Sequence, residues 1–127
     1  YQLHYLETSA TQVVKEFVED NDLKRADDAY FETLVIGANL QKQALWEEIA
    51  RYLDRESSQI DPVEESILLL GAFELKDQLQ VPFKVVISEA VDLAKIFGAT
   101  DSYKYVNSIL DKVAAVYRSV EVGAVSA

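Results

Sequence analysis

The residues best suited to chemistry lie near the C-terminus. In the run Asp101-Ser102-Tyr103-Lys104-Tyr105, continued to Ser108 and Lys112, helical spacing puts Asp101, Lys104, Tyr105, Ser108 and Lys112 on one face. That face lies opposite the apolar series Val106, Ile109, Leu110, Val113 and Tyr117. An aromatic ring flanked by two lysines offers a stacking plane beside phosphate-neutralising charge, which is what single-stranded RNA requires. The same spacing suits a tyrosine folded over a neighbouring helix with its hydroxyl at the surface. On the residues alone this second reading is favoured, because lone surface aromatics are common.

Catalysis has little to draw on. The single histidine is His4, and there is no ordered Ser-His-Asp set, no Gly-rich phosphate loop and no metal-ligand cluster. Cysteine is absent, which removes disulfides, thiolate nucleophiles and Cys-type zinc sites. The expectation is a protein that is not an enzyme and holds no metal or cofactor. Glu74 falls on an apolar stripe, four residues after Leu70. It is expected to cap the helix that starts after Pro82 rather than to act as an acid or base.

These residues need elements to position them, and the punctuation of the chain supplies those elements. Asp61-Pro62-Val63-Glu64 is a helix start: Asp61 as N-cap, Pro62 at the first helical position, Glu64 completing a capping box. The helix that follows carries two apolar stripes, Val63, Ile67 and Leu70, and Leu68, Ala72, Leu75 and Leu79. It reads as the hub of the fold, and its second stripe faces either the core or a partner. Pro82 opens the next helix, with Val86, Ala90, Leu93, Ala94 and Phe97 as its core face. Gly98 is expected to end it in a left-handed cap, and Thr100 or Asp101 to cap the last helix.

Upstream, Tyr1 to Leu6 reads as the tail of a helix. Ser9 caps a helix over 10–20 whose apolar face is Val13, Val14, Phe17 and Val18. Another helix begins at Asp27-Asp28 and carries Tyr30, Phe31, Leu34, Val35 and Leu40, with Gly37 permitting a close helix contact. The segment from Gln43 to Asp54 is helical, either separate or continuous with it. Residues 119–127 have weak periodicity and are expected to fray. No segment alternates as a strand does. The expected fold is all-α, a single domain over 1–127 with six or seven helices.

Composition sets the outer bounds. The chain has 127 residues, half of them apolar, and a formal net charge of −10. The size fits one domain with a real core. No apolar run approaches the roughly 18–20 residues needed to span a bilayer, and no signal-peptide pattern opens the chain, so a cytoplasmic protein is expected. An acidic total opposes nucleic-acid binding, but residues 76–118 hold six basic and five acidic groups. A local cationic patch is therefore compatible with the total. The chain lacks methionine and opens in what reads as the middle of a helix, and a preceding natural segment is expected.

The run VPFKVVISEAVDLAKIFGATDSYKYVNSILDKVA resembles the signature of the bacterial transcription antitermination factor NusB family, and PVEESILLLGAFEL resembles that family's preceding helix. The resemblance extends over essentially the whole chain, with its specificity concentrated in 62–114. It implies an all-helical protein of two packed helical bundles that pairs with NusE, a small-subunit ribosomal protein. The pair would bind boxA RNA and assist the RNA polymerase antitermination complex in ribosomal RNA operons, without a cofactor. By position, the resemblance directs Glu64, with Glu65 and Leu68 beside it, toward NusE. It assigns Asp101, Ser102, Lys104 and Tyr105 to the turn and helix start that contact RNA, and Tyr1 to an aromatic near that surface. One departure is the family's Arg-rich segment, which would precede the residues matching Tyr1-Gln2. Two other readings compete: a protein-only helical adaptor or homodimer, favoured by the acidic charge, and the RNA-recognition domain of a larger RNA methyltransferase.

Overall fold

The computed structural model describes residues 28–53 and 60–126. Expectations placed on Tyr1, His4, Ser9 and the helix over 10–20 lie outside them. The described residues form six helices: α1 Asp28–Leu40, α2 Lys42–Ala50, α3 Pro62–Asp77, α4 Phe83–Phe97, α5 Ser102–Tyr117 and α6 Ser119–Ser126. The described residues form no strand.

α3 is the hub. It packs against α4 and α5 in one group and against α1 and α2 in another. Its start follows the local chemistry: the Asp61 carboxylate accepts from the Val63 N–H at 2.8 Å, and Pro62 occupies the first turn. Both apolar stripes reach the core, with Val63 and Leu70 partly buried. Ile67, Leu68, Ala72 and Leu75 are at most 1 % exposed, and burying such a leucine or isoleucine contributes roughly 1.5–3 kcal/mol. Leu79, expected to extend the second stripe, lies beyond the end of the helix and is exposed.

α1 and α2 are separate helices joined at one residue. Gln41 leaves helical geometry at φ −106 and ψ 14, yet its N–H still bonds the Gly37 carbonyl and its own carbonyl accepts from Leu45. Its side chain fixes the break to the end of α3, accepting from Lys76 Nζ at 2.7 Å and donating to Asp77 Oδ2 at 2.8 Å. The close contact expected at Gly37 is present. A Cβ there would lie 2.1 Å from the Phe73 ring of α3. Leu40, expected on the core face, is exposed instead.

α6 is a helix, and the residue before it, Arg118, is buried. Arg118 Nε donates to the Leu75 carbonyl at 2.6 Å, Nη1 to the Val81 carbonyl at 2.9 Å, and Nη2 to the carbonyls of Gln78 and Glu74. One guanidinium thus ties the end of α3 to the connector to α4, adding a second donor at the Glu74 and Gln78 carbonyls, which already accept from the Gln78 and Val81 N–H groups. Its charge is met by Glu121 Oε1 at 2.7 Å. The other Glu121 oxygen accepts from the Phe83 N–H at 2.9 Å, at the start of α4. That is a capping role expected of Glu74. Glu74 instead accepts from the Tyr30 hydroxyl at 2.5 Å, joining α1 to α3.

Candidate nucleic-acid interface

The α4–α5 turn forms the start of the site. Gly98 has φ −87 and ψ 171, extended rather than left-handed. The left-handed residue is Asp101, at φ 68. Aspartate is one of the few residue types that visit this region. Gly98 is needed for space, because a Cβ would lie 2.7 Å from the Ala94 carbonyl oxygen and 2.9 Å from Ser102 Oγ. Asp101 holds the N-cap position of α5 without a side-chain cap bond. Its carboxylate faces outward, 3.6 Å from Lys104 Nζ, and both side chains are about two-thirds exposed.

Beneath this turn lies a buried polar tie. The Ser102 hydroxyl donates to the Glu64 carboxylate, and both residues are buried. Ser102 therefore anchors the turn from inside and offers no surface to RNA. Glu64 points into the protein, and Leu68 is fully buried. The resemblance directs both toward a partner, and the structure places them inward, where α3 packs against α5 and α2. Of the three, only Glu65 is partly exposed, and its carboxylate lies 3.7 Å from Lys42 Nζ.

The aromatic partner of the lysines is also different from the one expected. Tyr105 is half-buried, packs against the core and turns its hydroxyl inside. The ring that meets lysines is Tyr103. Lys95 Nζ of α4 lies 5.1 Å from its centroid and Lys104 Nζ lies 5.9 Å away, within cation–π range. Tyr103 and Lys95 line an open groove of about 520 Å³ between α4 and α5, with Lys84 farther along it. Sequence reasoning missed this pair because Lys95 and Tyr103 sit on different helices. The signal available was that Lys84, Ser88, Val91 and Lys95 share one face of α4 at helical spacing.

The expected RNA-contact residues thus divide. Asp101 and Lys104 are exposed and Lys104 lines the groove, Ser102 and Tyr105 are turned inward, and Tyr1 lies outside the described residues. Among the described residues no group of three or more His, Cys, Asp or Glu side chains is placed to hold a metal ion. No described helix is long and apolar enough to cross a membrane.

Comparison with known proteins gives one consistent result. The NusB family model matches residues 1–115. The chain is 42 % identical over 121 residues to the transcription antitermination protein NusB of Marinobacter nauticus, covering 95 % of this chain and 77 % of that one. It is 46 % identical over 116 residues to the protein of the same name from Pasteurella multocida, covering 91 % and 81 %. A solved structure of T. maritima NusB is similar at a TM-score of 0.66 and 24 % identity, over 88 % of this chain and 89 % of that one. At that identity the likeness shows the fold.

Proposed function

The chain belongs to the NusB family, and from that premise we propose that it acts as an RNA-binding transcription antitermination factor. In this reading it pairs with NusE and holds boxA-type single-stranded RNA for the transcription complex. Family membership supports the antitermination role. The observation that carries the RNA assignment is the exposed Asp101–Lys104 turn beside a groove bearing Lys84 and Lys95, a local cationic surface on an acidic chain. Lysines there would neutralise phosphates, and release of counterions would make binding salt-dependent.

The role needs no bond-making step. The protein would supply a fixed surface whose geometry is set by the Glu64–Ser102 tie beneath the turn. Glu65, at the exposed edge of the α3 start, is the residue of its group best placed to meet NusE.

Titration of a boxA-like RNA and a scrambled RNA into the protein, with and without NusE, at two salt concentrations tests this. The expected result is preference for the boxA-like RNA, tightening with NusE and weakening with salt. Equal, salt-insensitive binding of both RNAs, or none, would overturn it.

A further inference from the structure

We propose that the groove between α4 and α5 is a ribonucleotide subsite, in which a base of single-stranded RNA stacks on Tyr103 while Lys84, Lys95 and Lys104 hold the flanking phosphates. The inference rests on the RNA-binding reading above and sharpens it, since that reading specifies a surface and not where a base is held.

Two ridges build the groove. Lys84, Ser88 and Lys95 lie along α4, and Tyr103, Asn107 and Asp111 along α5, each series at helical spacing. From Lys84 to Lys95 the ridge runs about 16 Å at the helical rise. That accommodates on the order of four nucleotides at the ~3.4 Å rise of a stacked strand. Tyr103 is half-buried, so its ring is held by packing against the core while part of it remains accessible. Lys84, Lys95 and Lys104 are exposed, so their ammonium groups can move from the ring to phosphates without disturbing the core.

The charge and chemistry of the groove favour nucleic acid over an acidic peptide. Lys84 and Lys95 stand against Asp111 in the groove, and Lys104 is paired with Asp101. An acidic peptide would use the lysines but would leave the ring without a matching plane. A base uses both, and Ser88 and Asn107 present hydroxyl and amide groups to its polar edge. Tyr105 does not compete for this role, because its hydroxyl end is inside the protein.

The test uses the protein with NusE and a short boxA-like RNA. Tyr103→Leu keeps apolar packing and removes the π plane, and Tyr103→Phe keeps the plane. We expect Tyr103→Leu to weaken RNA binding roughly tenfold or more, with Tyr103→Phe near wild type. Thermal unfolding and NusE binding should be preserved in both. Lys95→Gln should make the salt dependence shallower by about 0.7 in the log–log slope, one phosphate contact on a single strand. Ultraviolet cross-linking should place the adduct on Tyr103. RNA affinity unchanged in Tyr103→Leu would overturn the subsite while leaving the antitermination reading in place. Loss of NusE binding with RNA affinity intact would make the groove a protein surface and also overturn it. Failure of the wild-type protein to bind RNA would overturn both.

Discussion

Ser102, the first residue of α5, donates its hydroxyl hydrogen bond to Glu64 in the first turn of α3, across 38 positions of chain, and both side chains are buried. The bond joins the hub helix to the exposed turn that carries Asp101 and Lys104. A carboxylate that the family resemblance directs outward is thus part of the internal support of the candidate RNA surface.

Removing either side of this tie should be costly. Ser102→Ala leaves the Glu64 carboxylate without that donor in a buried site, and a loss of about 1–3 kcal/mol is expected. Replacing both residues with apolar ones should cost less than the sum of the single changes, because neither then strands the other. Urea denaturation of the two single variants and the double variant measures this coupling. Additive losses would contradict it.

Gly37 and Gly98 should each reject a methyl group. At Gly37 an added Cβ meets the buried Phe73 ring, and Gly37→Ala is expected to cost about 1–3 kcal/mol through overpacking. At Gly98 it meets the Ala94 carbonyl and Ser102 Oγ. Gly98→Ala should therefore destabilise the chain and, by displacing the turn, weaken RNA binding as well. Gly37→Ala should leave the RNA affinity of the folded fraction unchanged. Thermal melts paired with RNA titrations separate the two cases.

Arg118→Lys should behave as a severe change despite keeping the charge. A single ammonium cannot reproduce the guanidinium bonds to the carbonyls of Glu74, Leu75, Gln78 and Val81. The Glu74 and Gln78 carbonyls keep their backbone donors, so the Leu75 and Val81 carbonyls carry the loss, expected by chemical denaturation at about 1–3 kcal/mol for each left unmatched. Faster hydrogen exchange at the α3–α4 connector should accompany it.

Glu121 should make part of the stability depend on acid. The Phe83 N–H, and then the Arg118 guanidinium, hold its carboxyl below the usual range against a smaller opposing effect of burial. A lowered folded-state value means that its contribution is complete above the ordinary carboxylate pKa of ~4.3. The contribution is lost as pH falls through the lowered folded value. Glu121→Gln should thus melt at a lower temperature than wild type at neutral pH, and the difference should shrink on acidification through that window. A difference independent of pH would contradict this assignment.

Much of this molecule was legible along the chain. Asp61-Pro62 and Pro82 mark helix starts because capping and proline chemistry act within a few residues. The faces Val86, Ala90 and Ala94, and Val106, Ile109, Leu110 and Val113, are readable because an apolar stripe repeats with the helical turn. Those local signals determine an all-α fold around α3, and a 34-residue signature was enough to indicate the family. What remained open depends on which surfaces meet across dozens of residues. Leu68 became core and Tyr105 turned inward because α3 and α5 are covered by neighbours that periodicity does not name. Tyr103 acquired its second lysine from α4, and the left-handed residue is Asp101, while Gly98 is extended and closely approached by Ser102. Arg118, which the sequence shows only as one of the basic groups of 76–118, is the buried clasp of the α3 end, since only the folded chain brings those carbonyls within reach of one guanidinium.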